Sequence, residues 1–236
     1  MPDKTKILFF GDVSGTLGRE GVKKMAPKWK KEHQTDVIIA NVENLAHNKG
    51  LTLRTMAEMD EAGVEIYTGG NHIWKKYELD KFAKETDYKI AAPANDNRCP
   101  EKYLFQTIEI NETKLVVINL NGRTFMEHET TISNPFTKID ELLQQVPKDA
   151  NIIIDMHAEA TSDKRALGLY LDGRVSTVVG THTHIPTADA QILAEGTGYL
   201  TDIGMVGAYP SVLGIKKEII IAICHCIVKP GLVAIS

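Results

Sequence analysis

The sequence predicts an α/β fold, a two-sheet mixed β-sandwich flanked by helices. Three observations predict it. Short apolar runs rich in β-branched residues alternate with stretches of helical periodicity, the pattern of strands joined through covering helices. Five of these runs end in a residue able to bind a metal ion or move a proton, and open α/β sheets place their sites just beyond the carboxyl ends of the strands. In mid-chain the alternation gives way to two adjacent strand-like runs, a hairpin signal that requires antiparallel pairing and a second sheet.

The elements follow in chain order. Lys6–Phe10 (KILFF) is the first strand and leads into Gly11-Asp12. Val22, Met25, Ala26 and Trp29 then recur at helical spacing within Gly21–His33, where Pro27 is expected to bend or delay the helix. Asp36–Ala40 (DVIIA) is the second strand and ends in Asn41-Val42-Glu43-Asn44. Thr52 caps a helix that buries Leu53, Met56 and Met59 and stops at Gly63. Val64–Gly70 (VEIYTGG) runs into Asn71-His72, and Lys75–Lys84 reads as a third helix. Tyr103–Ile110 and Lys114–Leu120, joined by Asn111-Glu112-Thr113, form the hairpin. Asn134 before Pro135 opens a helix with Phe136, Ile139, Leu142 and Leu143 on one face. Asn151–Asp155 (NIIID) runs into Met156-His157, and Thr161 or Ser162 caps a helix ending near Gly173. Strands return at Val175–Gly180, before Thr181-His182-Thr183-His184, and near Tyr199–Asp202. Glu218–Val228 is apolar nearly all round and offers no amphipathic face from which to assign a structure.

Bulk properties narrow the function classes. At 236 residues the chain is long enough for one sizeable domain spanning residues 1–236, with an atypical C-terminal part from about residue 216. Lys and Arg number 27 against 31 Asp and Glu, so the chain is a poor candidate for wrapping extended nucleic acid, whose affinity comes from phosphate neutralisation. A small anion remains accessible, because bound cations would invert the local charge. Cys99, Cys224 and Cys226 are too few and odd in number for a disulfide framework, which fits a reducing cytoplasm. Cys224-His225-Cys226 lacks the second ligand pair of a soft-metal site. MPDKTK leads into a strand without an apolar signal segment, and no apolar run approaches the ~20 residues of a membrane span.

The candidate metal ligands are Asp12, Glu43, Asn44, Asn71, His157, His182 and His184. That set is too large for one tetrahedral zinc and suits two ions of higher coordination sharing a bridging carboxylate, with Glu43 or Asp12 able to bridge. Two ions roughly 3.5–4 Å apart can clamp the attacking and leaving oxygens of a phosphoryl displacement. Mixed imidazole, carboxylate and amide ligation favours iron, manganese or zinc over magnesium. His182 and His184 stand at i and i+2, which in an extended segment puts both on one face. His72 follows Asn71 and is the candidate general acid, since histidine titrates near neutral pH. Taken singly, Asp12 could be a helix cap, Asn71 a turn residue and His157 a core histidine; convergence carries the reading. Gly11, Gly15 and Gly18 do not have dinucleotide-binding spacing, and no phosphate-cradling G-x-x-x-x-G-K-[ST] loop or nucleophile elbow occurs.

Gly70-Asn71-His72 and Gly180-Thr181-His182-Thr183-His184 resemble the G-N-H and G-H-x-H blocks of the calcineurin-like metallophosphoesterases. More narrowly, GDVSGTLGREGV, NVENLAHNKGLT, TGGNHIW, INLNGRTF, DMHAEATSDKRALG and VVGTHTHIPTAD are similar to the bacterial YmdB-like branch, the 2′,3′-cyclic-nucleotide 2′-phosphodiesterases. These stretches cover residue 7 to about residue 215. The superfamily's first-strand D-x-H is here Asp12-Val13-Ser14, and its bridging Asp is here Glu43, both as in the branch. The C-terminal IAICHCIVKPGLVAIS has no match in the pattern.

The resemblance implies the αββα fold of that superfamily and two transition-metal ions, iron with manganese or zinc as substitutes. Asp12, Glu43, Asn44 and His184 would hold one ion, and Glu43, Asn71, His157 and His182 the other, with Glu43 bridging. His72 would protonate the departing ribose 2′-oxygen of a small cyclic nucleotide, leaving a 3′-nucleotide. Arg123 either steadies a phosphate or is an exposed structural arginine, and Lys28, Lys30 and Lys31 read as a solvated helix face. The rival readings are a phosphomonoesterase or nuclease on the same site, and a regulatory scaffold with structural metals. The oligomeric state is open, a homo-oligomer included.

Overall fold

The computed structural model describes residues 4–76, 79–126 and 131–228, the side chains of 79–80 and 226–228 excepted. Its first sheet is parallel throughout, in the order β1 (Ile7–Phe10), β3 (Val37–Asn41), β4 (Ile66–Thr68) and β5 (Ile90–Ala91). The intervening helices are α1 (Gly15–His33), α2 (Leu53–Glu61) and α3 (Leu79–Glu85). The second sheet holds β6 (Gln106–Ile110), β7 (Thr113–Asn121), β8 (Asn151–His157), β9 (Thr177–Thr181), β10 (Gln191–Ile192) and β11 (Gly198–Leu200). Strands β7, β8, β9 and β11 run parallel, and β6 and β10 close the two edges antiparallel. Helices α4 (Pro135–Leu143) and α5 (Thr161–Tyr170) belong to this half. A short ladder joins β2 (Asp12–Val13) to β12 (Met205–Val206), and the last described element is α6 (Lys217–Val228).

Three apolar clusters define four layers. Val37, Ile39, Ile66 and Ala91 of the first sheet meet Leu115, Val117 and Ile153 of the second, so the sheets pack face to face. The alternate residues Ile38, Ala40, Tyr67 and Ile90 turn the other way, onto Val22 and Ala26 of α1, Met56 and Met59 of α2 and Phe82 of α3. Val116, Ile118, Ile152, Ile154 and Val178 likewise turn onto Ile139 and Leu142 of α4 and Leu167 of α5. Strands buried on both faces read as continuous apolar runs. The result is the helix–sheet–sheet–helix sandwich the sequence predicts.

Most local expectations hold, with instructive shifts. Helix α1 starts at Gly15, ahead of the expected Gly21, and continues through Pro27, which is exposed and leaves its missing hydrogen bond on the solvent side. Thr52 caps α2 reciprocally with Thr55, and Met56 and Met59 are buried, while Leu53 is exposed. Helix α3 begins at Leu79, four residues beyond Lys75; residues 77–78 of the expected helix lie outside the described residues. Tyr103 ends a 3₁₀ turn before the strand begins at Gln106. The hairpin turn uses Asn111 and Glu112, both at positive φ, as a tight two-residue connection requires. The Asn134 side chain accepts from Phe136 N at 2.9 Å to cap α4, whereas α5 is capped by Ala160 without a side-chain bond. Glu218–Val228 falls within α6, whose Ile219, Ile221 and Ile223 are exposed. Cys224 is exposed and unbridged; the Cys226 side chain lies outside the described residues. No described helix is long and apolar enough to cross a membrane.

Candidate metal centre

Strands β3, β4, β8 and β9 end on one rim, where the two sheets meet. Asp12 comes from β2, Glu43 and Asn44 follow β3, Asn71 and His72 follow β4, His157 is the last residue of β8, and His182 and His184 follow β9. All eight predicted residues converge there. Asp12, Glu43, Asn44, Asn71 and His157 are buried, and His72, His182 and His184 are half-buried at the open side.

Two groups share Glu43. On one side, Asp12 Oδ1 lies 3.7 Å from His184 Nε2, which lies 3.4 Å from Asn44 Nδ2; that amide donates to Glu43 Oε1 at 2.9 Å. On the other, Glu43 Oε2 is 3.3 Å from His157 Nε2, itself 3.1 Å from both Asn71 Oδ1 and His182 Nδ1. His72 sits over Glu43: its backbone N–H donates to Oε2 at 2.9 Å, and Nδ1 donates to Asn44 Oδ1 at 3.0 Å. Asn44 thus presents nitrogen to Glu43 and His184, and ligation through its oxygen requires the amide to turn over. Gly70 passes so close that a Cβ there would collide with Glu43 Oε2 and His157 Nε2.

One expectation is corrected. His182 and His184 do reach one site, yet the segment is not extended: their φ values are 93° and 64°. Two left-handed residues flank Thr183, a conformation that disfavours non-glycine residues unless the surroundings enforce it.

The electrostatics suit cations. Burial pushes Asp12 up to about 7, even against the charge of His157. Burial alone would lower His157, but the adjoining Glu43 carboxylate, with Asp12 and Asp155, holds its imidazolium up at about 9. Burial opposes the Glu43 charge, yet His157 and His72 keep that carboxyl well below the usual range. Burial and then the His157 charge push His182 down to about 3. The rim therefore relieves crowded carboxylates by holding protons. Among the described residues, Asp12 Oδ1 and His184 Nδ1 are buried without a hydrogen-bond partner. Ligand atoms of Glu43, His157 and His182 lie within 4.8 Å of one another. Orphaned buried acceptors beside convergent imidazole and carboxylate donors fit metal ions.

A measurable consequence concerns protons. Ligands bind metal deprotonated, so if His157 and Asp12 are ligands, Mn²⁺ would expel the His157 proton and what remains on Asp12. Mn²⁺ affinity is expected to rise with pH up to about 9, where His157 loses its proton unaided. Calorimetric titrations from about pH 6 to about pH 9, in buffers of different ionisation enthalpy, should show net proton release. Affinity flat across that range would contradict the assignment of His157 and Asp12.

A layer beneath the rim is absent from the predicted set. Asp155, wholly buried, accepts from Thr181 Oγ1 at 2.6 Å, Thr68 Oγ1 at 2.5 Å and Asn41 Nδ2 at 3.1 Å. With its hydroxyl proton on Asp155, Thr181 Oγ1 can accept from His157 Nδ1 at 2.9 Å, which leaves Nε2 directed at Glu43 and Asn71. Glu159 Oε2 lies 3.0 Å from His182 Nε2 and orients that ring in the same way. The available signal was a carboxylate inside an apolar strand, since a buried charge demands donors. Arg123 has an exposed side chain, and its backbone N–H bonds Asp163 Oδ2 at 3.1 Å.

Comparison with known proteins agrees with this architecture. The sequence model of the YmdB-like protein family matches residues 8–228, α6 included. A 2′,3′-cyclic-nucleotide 2′-phosphodiesterase of Bacillus subtilis strain 168 is 45% identical over 217 residues, covering 92% of this chain and 81% of the relative. A crystal structure of a novel phosphatase from Mycoplasma pneumoniae superposes with a TM-score of 0.86 at 35% identity, covering 100% of this chain and 84% of that one. A hypothetical protein from Thermus thermophilus gives 0.83 at 38% identity, covering 92% and 82%. The chain belongs to the YmdB-like family, with the sandwich fold of the metallophosphoesterases.

Proposed function

We propose that this protein is a metal-dependent phosphodiesterase that opens 2′,3′-cyclic nucleotides to 3′-nucleotides. The hydrolase class, a phosphodiesterase or phosphatase, accords with the family and with the Bacillus subtilis relative's activity. Asp12, Glu43, Asn44 and His184 would hold one ion, and Glu43, Asn71, His157 and His182 the other, with iron, manganese or zinc matching the donors. Bound there, the ions would supply Lewis-acid neutralisation of phosphoryl charge and lower the pKa of water.

The protein's own share is positioning and proton transfer. In the overall reaction water adds to phosphorus, the P–O2′ bond breaks and the ribose 2′-oxygen leaves with a proton. His72 would give that proton, and its position beside Glu43 at the open side of the candidate centre is the observation that supports this role. Its half-buried ring stands at the open side, 3.6 Å from Glu43 Oε1, and its backbone N–H is tied to Oε2 of the same carboxylate. A purely structural metal site needs no such proton donor at its rim. His72→Ala should keep its metals and lose about 10²–10⁴-fold in turnover of 2′,3′-cyclic AMP. Full activity in that variant would remove His72 from the acid role.

The Mycoplasma pneumoniae structure's description as a phosphatase favours a phosphomonoester as the second reading. A panel of 2′,3′-cyclic AMP, 3′,5′-cyclic AMP, a phosphomonoester and short RNA, with metal-reconstituted protein, decides between them. Turnover confined to the monoester or to RNA would overturn the cyclic-nucleotide assignment. Cytoplasmic residence suits a nucleotide substrate and the unbridged Cys99 and Cys224.

A further inference from the structure

The loop that carries His182 and His184 is gripped from behind by a buried ion pair that the hydrolytic reading does not use. Lys164, on α5, has a fully buried side chain, and its Nζ donates to Asp202 Oδ2 at 2.7 Å and to Thr183 Oγ1 at 3.1 Å. Asp202 is fully buried as well, and the same Oδ2 accepts from Thr183 Oγ1 at 2.5 Å and Thr183 N at 3.2 Å. Asp202 Oδ1 accepts from Gly204 N at 2.7 Å, which fixes the carboxylate plane. Both charges therefore converge on Thr183. Thr183 lies between the two histidines held at left-handed φ. Gly180 makes room for the lysine: a Cβ there would sit 2.7 Å from Lys164 Cδ and collide with Thr201 O.

Burying a lysine and an aspartate is costly unless their geometry and hydrogen bonding are well satisfied. Here three donors share one carboxylate oxygen, and two of the three belong to the residue between the candidate ligands. We propose that Lys164 and Asp202 are positioning residues: they clamp Thr183 and thereby hold His182 and His184 facing the metal centre. This rests on reading those two histidines as ligands.

Thr183→Val tests the clamp with little change of shape, because it deletes the hydroxyl and leaves Lys164 and Asp202 paired. Full-length protein is stripped of metal, melted, titrated with Mn²⁺ by calorimetry, and loaded with Co²⁺ for its visible spectrum. Thr183→Val should melt close to wild type without metal, bind Mn²⁺ about 10–100-fold more weakly, and show an altered Co²⁺ spectrum. Thr183→Ser, which restores the hydroxyl, should recover most of both. Wild-type affinity and spectrum in Thr183→Val would overturn the proposal, as would equal losses in Thr183→Ser. If Thr183→Val fails to fold, Asp202→Asn takes its place and must show the same weakening; unchanged affinity there would overturn it. Wild-type protein that binds no Mn²⁺ would refute the ligand assignment itself, an outcome distinct from unchanged affinity in the variants.

Discussion

If the proposed function holds, Glu43→Gln is expected to strip the protein of stoichiometric metal and to lower kcat/KM on 2′,3′-cyclic AMP by about 10³-fold or more. Glu43 belongs to both groups of candidate ligands, touching Asn44 at 2.9 Å and His157 at 3.3 Å through its two oxygens. Losing it removes a charge from each. Metal catalysis contributes several kcal/mol of transition-state stabilisation, and about 4 kcal/mol corresponds to 10³ in rate. Glutamine keeps the shape and one acceptor for His72 N–H, so the fold should survive. His184→Ala is the comparison, since His184 contacts the Asp12 and Asn44 group and its loss should cost one ion of the proposed two. Metal analysis of both variants beside wild type decides the matter. Glu43→Gln protein that keeps both ions and more than a tenth of the activity would show that Glu43 is no bridge.

The candidate ligand layer was legible because each member stands at or just beyond the end of an apolar run. Linear order alone therefore exposes Asp12, Asn71 and His157. The resemblance then divided the set around Glu43, whose two oxygens lie beside Asn44 and His157 in the fold. What stayed hidden was support lying across the sequence. Asp202 serves Thr183 from 19 residues away, and Lys164 approaches it through a gap that exists only because residue 180 is glycine. No periodicity marks such a partnership. The conformation of the histidine loop was hidden for the same reason: an i, i+2 spacing suggests an extended strand, whereas buried anchors enforce two left-handed residues. Helix α1 starts earlier than expected because its first turns bury Gly15, Gly18 and Arg19 and expose Leu17, so no apolar periodicity marks them.

Asp155→Ala should cost more stability than an ordinary surface change, because Asp155 joins the two sheets beneath the candidate metal centre. Thr68 and Asn41 reach it from the first sheet and Thr181 from the second. Burial raises the Asp155 pKa, so the charge is itself unfavourable there and alanine relieves that part. What alanine leaves is worse. The Thr68 and Thr181 hydroxyls lose their acceptor in a region without water access, whereas Asn41 Nδ2 retains Gly69 O at 2.7 Å. Two orphaned buried donors at about 1–3 kcal/mol each, plus a small cavity, give about 4 kcal/mol. For a chain of this size that lowers Tm by about 10 °C. The same substitution removes the acceptor that fixes the Thr181 hydroxyl with its lone pair toward His157 Nδ1–H, so that tautomer loses support and metal affinity should fall together with Tm. Asp155→Asn separates the two effects, since its amide keeps one acceptor oxygen for one threonine and so should melt between the other two proteins. An Asp155→Ala protein that melts within about 2 °C of wild type would mean that the sheets are held by the apolar Val37, Ile39, Val117 and Ile153 layer alone.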